Sequence, residues 1–192
     1  MPRIHSLSCS PTHNFTKFPI QEITLLSNHG IQGDCHAGTT VQHRSRLYIH
    51  PSPPNLRQVH LIPIETLRVI SDTLDTNNQR HQILEPGALG QNITTEGVDL
   101  LHLRTGVELR FVDETGAQSE VVLEVTGLRN PCAQIDRFMP GLKEKFLVRN
   151  EERKIVGRLA GVMAVVKTGG VLRVGMGITI NQGYISFEIT RI

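Results

Sequence analysis

Three short segments of this chain carry side chains able to do chemistry. The sharpest is Glu124-Val125-Thr126-Gly127-Leu128-Arg129-Asn130-Pro131-Cys132-Ala133-Gln134-Ile135-Asp136, where a strand pattern runs into a glycine turn and then an Asn-Pro helix start. With Asn130 as the N-cap and Pro131 as the first helical residue, Cys132 falls in the first turn. There, free backbone N–H groups and the helix dipole favour a thiolate. Arg129 adds a nearby positive charge. Both effects lower a cysteine pKa from its free value of about 8.5, which makes the thiol a competent metal ligand or persulfide former near neutral pH. A buried, inert cysteine is the other reading of the same letters, and spacing alone leaves both open.

The second segment, Gly33-Asp34-Cys35-His36-Ala37-Gly38, places an acid, a thiol and an imidazole between glycines that permit unusual backbone. Adjacent side chains rarely converge on one ion, so a glycine-rich turn with a capping Asp34 accounts for these letters as well as a metal site does. The third, Gly87-Ala88-Leu89-Gly90-Gln91-Asn92-Ile93-Thr94-Thr95-Glu96-Gly97-Val98-Asp99, offers amide and hydroxyl groups able to contact an anionic or heteroaromatic ligand. It also fits a plain polar hairpin.

The elements that must position these groups are mostly strands. Short β-branched runs predict strands over Arg3–Leu7, Ile20–Leu26, Val59–Ile62, Val107–Val112, Val121–Val125, Ala160–Lys167, Gly177–Asn181 and Tyr184–Thr190, with Gly169-Gly170 as a turn. Two helices are expected, Pro63–Leu74 with Pro63 at a first helical position, and Gln134–Leu147, broken by Pro140-Gly141. Residues 39–56 show no period and read as a loop. With 17 glycines and 10 prolines in 192 residues, the pattern predicts a single domain, mainly β with a few short helices.

Composition narrows the function classes. A net charge of +2 without a Lys/Arg run argues against nucleic acid as a partner. The first 20 residues lack an apolar core and no long apolar run follows, which argues against secretion and membrane insertion. Three cysteines, Cys9, Cys35 and Cys132, with no CxxC pair predict a reducing, cytoplasmic setting.

Taken together and in order, GDCHAG, NITTEGVDLL and EVTGLRNPC resemble the MOSC family, named for the C-terminal domain of molybdenum-cofactor sulfurases. KTGGVLRVGMGITI resembles the family's closing segment, except that Met176-Gly177 stands near the place of its usual Gly-Asp. The small stand-alone bacterial type is the nearest in kind. That type usually continues into a helical extension, whereas this sequence stops at Ile192, soon after its last expected strand.

The resemblance implies a closed β-barrel with a cleft, and Cys132 as the residue that ligates molybdenum or carries sulfur. It implies that Arg129 and Asn130 contact the pterin phosphate or orient the loop. Asn92, Thr94 and Thr95 would line the pocket beside Asp34 and His36, and His36 is a candidate proton donor. The activity so implied is reduction of N-hydroxylated small molecules at a molybdenum cofactor (molybdopterin), with electrons from separate electron-transfer proteins. The alternative is a sulfur carrier whose Cys132 persulfide is loaded by a cysteine desulfurase. Pyridoxal phosphate is not expected, because the matched motifs fill the chain.

Overall fold

The computed structural model describes residues 1–43, 46–74 and 83–181. Seven strands close a barrel: β1 (Arg3–Cys9), β5 (Val59–Pro63), β6 (Ile93–Glu96), β7 (Glu108–Val112), β8 (Gln118–Leu128), β11 (Val162–Thr168) and β13 (Gly177–Asn181). Their order is β13-β7-β8-β11-β5-β6-β1, and Arg3 pairing with Gly177 joins the ends. Every pairing is antiparallel except β5 with β6. A short strand, β2 (Phe18–Ile20), extends the sheet at β1. A second sheet has the order β12-β3-β4, from β3 (Glu22–Leu26), β4 (Gly30–Ile31) and β12 (Gly170–Arg173), and β9 (Leu147–Arg149) pairs with β10 (Ile155–Arg158).

Side-chain alternation explains the closure. β7 buries Leu109 and Phe111 while turning its other residues outward, and β11 buries Val162, Ala164 and Val166 in the same rhythm. These meet Ile4, Leu7, Leu61, Leu123 and Val125 inside the barrel. β5 is buried at all five positions because its outer face is covered too. That cover is α1 (Ile64–Asp72), whose Ile64, Leu67 and Ile70 form a second core with Leu89, Ile135 and Phe146.

Within the described residues the expected strands and the break in the last helix are present, with informative differences. Pro63 ends β5 and caps α1 in extended backbone, one residue before the helix. The expected strand Ile20–Leu26 is two strands parted at Gln21, because Ile20 pairs with β1 while Glu22 onward pairs with β12. The last helical stretch is α2 (Ala133–Phe138) and α3 (Leu142–Lys145), separated by Gly141 at φ +81°. The segment Tyr184–Thr190 lies outside the described residues. No helix among the described residues is long and apolar enough to cross a membrane.

One glycine holds the barrel wall closed over β5. Gly161 has φ +84°, and a Cβ there would lie 2.1 Å from the Leu61 carbonyl oxygen. Its own carbonyl accepts the Arg129 amide at 2.8 Å. Gly161→Ala is expected to lower the unfolding free energy by about 1–3 kcal/mol through strain and overpacking, read as a lower urea midpoint at unchanged m-value.

Candidate functional site

Beside the barrel a cavity of about 270 Å³ gathers side chains from several distant segments. Cys132, Arg129 and Asn130 come from the turn after β8, Asn92 from the residue before β6, and His13 and His36 from the turns after β1 and β4. The 39–56 loop, whose role is invisible in the sequence, supplies His43 and Arg46, and Arg57 directly follows it. No carboxylate lines the cavity among the described residues.

The thiol reaches the cavity by a different local route from the one its sequence predicts. Asn130 is not the N-cap and Pro131 is not the first helical residue; α2 starts at Ala133, and Cys132 itself is the cap, in extended backbone (φ −105°, ψ 168°). The Arg129 amide instead continues the pairing towards Gly161, and Asn130 Oδ1 accepts from Arg158 Nε at 3.1 Å rather than from the helix. Cys132 is half-buried, with Sγ 3.8 Å from Gln134 Oε1. A six-residue helix has little dipole to offer, so the positive charge near the sulfur comes from guanidinium groups. Arg129 donates from Nη1 to the Leu89 carbonyl at 2.8 Å. Burial lowers its pKa, and attraction to the Cys132 sulfur opposes that shift. The same two causes act on Arg57, in which Arg46 reinforces the effect of burial.

Asp34 does not line the cavity. Its fully buried carboxylate accepts from Lys17 Nζ at 2.7 Å, Asn92 Nδ2 at 3.0 Å and the His36 amide at 3.0 Å. Burial alone would raise its pKa, but the hydrogen bonds from His36 and Lys17 outweigh that and hold it well below the usual carboxylate range. Asp34 therefore organises the wall behind the cavity, fixing Asn92 and His36, and its bonds to Lys17 argue against a cation there. The Asp34, Cys35 and His36 ligand atoms do lie within 4.8 Å of one another, as a metal site would require. The ammonium at Asp34 fills that need instead. Cys9 faces the same carboxylate, and burial with Asp34 pushes its thiol up to about 11.

Thr94 and Thr95 do not line the cavity either. Both lie on β6 with buried side chains, because Thr94 and Thr95 pair with Ile62 and Pro63 inside the wall; Thr94 Oγ1 accepts from Gln91 Nε2 at 3.4 Å. Asn92 alone of that segment's predicted residues reaches the cavity.

Among the described residues four histidines line the cavity. His13 and His36 stack with centroids 5.3 Å apart and planes 1° apart, and His43 lies 6.2 Å from His36. His60, buried on β5, donates from Nε2 to the Ala160 carbonyl at 2.7 Å. Burial, helped by Arg129, holds His60 well below the ordinary histidine range, and burial with His36 lowers His43. Both are neutral in the fold but take up a proton when unfolded at about pH 6.5. The folded state then binds fewer protons, so the stability they contribute is present above that pH and is lost as pH falls. The urea midpoint is expected to be lower at about pH 5.5 than at about pH 7.5, and His60→Gln should shrink the difference.

A model of the MOSC domain matches residues 35–179, and the chain belongs to that family, which is linked to the molybdenum cofactor. No curated protein matches the sequence. Similar solved structures include the YuaD protein of Bacillus subtilis, with 22% identity and a TM-score of 0.72 over 94% of this chain and 96% of that one. YiiM from Escherichia coli matches with 15% identity and a TM-score of 0.58 over 92% and 69%. YiiM from Geobacillus stearothermophilus matches with 14% identity and a TM-score of 0.62 over 94% and 75%. At these identities the likeness shows a shared fold.

Proposed function

We propose that the cavity binds the molybdenum cofactor with Cys132 as the protein's ligand to the metal, and that the protein reduces N-hydroxylated compounds. The observation that carries this reading is a half-buried thiol at a cavity that is lined by guanidinium groups and free of carboxylates among the described residues. The donor set fits the group: a soft sulfur suits molybdenum, and Arg129 with the Asn130 amide suits an anionic phosphate and a polar heterocycle. When bound, the cofactor supplies two-electron chemistry.

The reaction cleaves one N–O bond: two electrons and two protons enter, N–OH becomes N–H, and the oxygen leaves as water. His36 would hand a proton to the departing oxygen. Its Nδ1 is engaged by Asp34 at 3.3 Å and Cys35 at 3.2 Å, which leaves Nε2 to exchange protons with the cavity. Asp34 fixes the ring from behind. Electrons would come from a separate electron-transfer protein.

The test is turnover of benzhydroxamic acid to benzamide, with a reduced viologen dye as donor, by protein purified anaerobically from a cofactor-producing host. Turnover supports the reading. Its absence, with an intact mass one sulfur atom heavier and the extra atom mapped to Cys132, would support the sulfur carrier instead.

A further inference from the structure

Among the described residues three guanidinium groups line one cavity, and they come from two separate parts of the chain. Arg129 belongs to the barrel side, tied to the Leu89 carbonyl and close to Asn92, Asn130 and Cys132. Arg46 lies in the 39–56 loop and Arg57 directly follows it. Neither loop arginine has an acidic partner among the described residues, and the one carboxylate behind the wall, Asp34, is already matched by Lys17. Like charges held together beside a cavity without a counter-ion are costly, and an anion relieves that cost. The cofactor reading above draws on the barrel-side groups and assigns the loop pair no ligand.

Resting on that reading, we propose that Arg46 and Arg57 bind a carboxylate or comparable oxyanion on the substrate, so that the substrates are anionic N-hydroxylated compounds. Two guanidinium groups present several N–H donors to such a group, and Arg57 lines the same cavity as Cys132. The anionic end would therefore sit within one small molecule's length of the reacting end. Lowered pKa values at Arg57 and Arg129, with burial as the main cause and guanidinium crowding added to it, agree with this placement.

The experiment is titration calorimetry of two product analogues, neutral benzamide and anionic 4-carbamoylbenzoate, on molybdenum-loaded protein. Wild type is expected to bind the anion at least about tenfold more tightly, the scale of one charge-assisted hydrogen bond. The preference should shrink with added salt. Arg46→Gln and Arg57→Gln should each remove most of it without lowering molybdenum content, and Lys154→Gln, on the exposed β9–β10 turn, should leave it intact. Equal binding of the two analogues by wild type, or a preference that survives both arginine substitutions, would overturn the proposal. So would loss of molybdenum from the arginine variants, which would place them on the cofactor. Turnover separates the two readings. If benzhydroxamic acid and its 4-carboxy derivative react with equal KM, the anion site fails while the reductase stands. If the anion preference holds but neither compound reacts, the anion site stands while N-hydroxyl reduction fails.

Discussion

Replacing Lys17 with methionine is expected to cost about 3–5 kcal/mol of unfolding free energy, because it strands a buried carboxylate. The side chains of Lys17 and Asp34 are 1% and 0% exposed, and among the described residues their 2.7 Å contact is the only charge compensation that Asp34 has besides His36. A loss of this size is a large share of the roughly 5–15 kcal/mol that holds a domain folded, and corresponds to a melting temperature lower by about 10 °C. The methylene stem of methionine keeps most of the packing, so the loss reports charge rather than volume. Combining Lys17→Met with Asp34→Asn should recover a substantial part of it. The new amide removes the charge and keeps one carbonyl oxygen to accept from the His36 amide, while the bond from Asn92 at the other oxygen is lost. The pH dependence has a definite sign. The Asp34 pKa is depressed in the fold, so its contribution is present above the unfolded value of about 3.9 and is lost as pH falls towards the folded value. In the double variant that acid limb should flatten.

Cys132→Ser is expected to abolish N-hydroxyl reduction, by at least about a hundredfold, while the fold is untouched. Cys132 is half-buried and its contact with Gln134 is long, so its removal should shift stability by about 0.5 kcal/mol or less. Serine offers a hard oxygen of nearly the same size in place of the soft sulfur that suits molybdenum. Cys132→Ala should therefore behave like Cys132→Ser in turnover, and both should match wild type in urea denaturation. An equal loss from a misfolded protein would appear as a lower urea midpoint.

The barrel was largely legible because its strands bury one face. Leu109 and Phe111, or Val162, Ala164 and Val166, alternate with outward residues in a way that the chain itself displays. The thiol was legible as a residue but not as a geometry. Asn130-Pro131 has the letters of a helix start, and tertiary bonds from Gly161 and Arg158 override that local preference. Thr94 and Thr95 misled for a related reason: hydroxyls in a glycine-rich stretch read as pocket groups, yet β6 turns both into the wall. The cation set was hidden most completely. Arg57 and Lys17 carry no local signal, and only the topology brings them beside Cys132 and Asp34. His13, far before His36 in the chain, shows its stacking partner only once β1 and β4 are folded together.

The measurement that bears most directly on the central claim is molybdenum and pterin per chain in wild type and Cys132→Ser, prepared side by side from a cofactor-producing host under anaerobic conditions. Near-equal amounts of metal, pterin and protein are expected in wild type, and at least about a tenfold loss of metal and pterin in the variant, at unchanged urea midpoint. Wild type without molybdenum, or a variant that retains it in full, would contradict the assignment of Cys132 as the ligand.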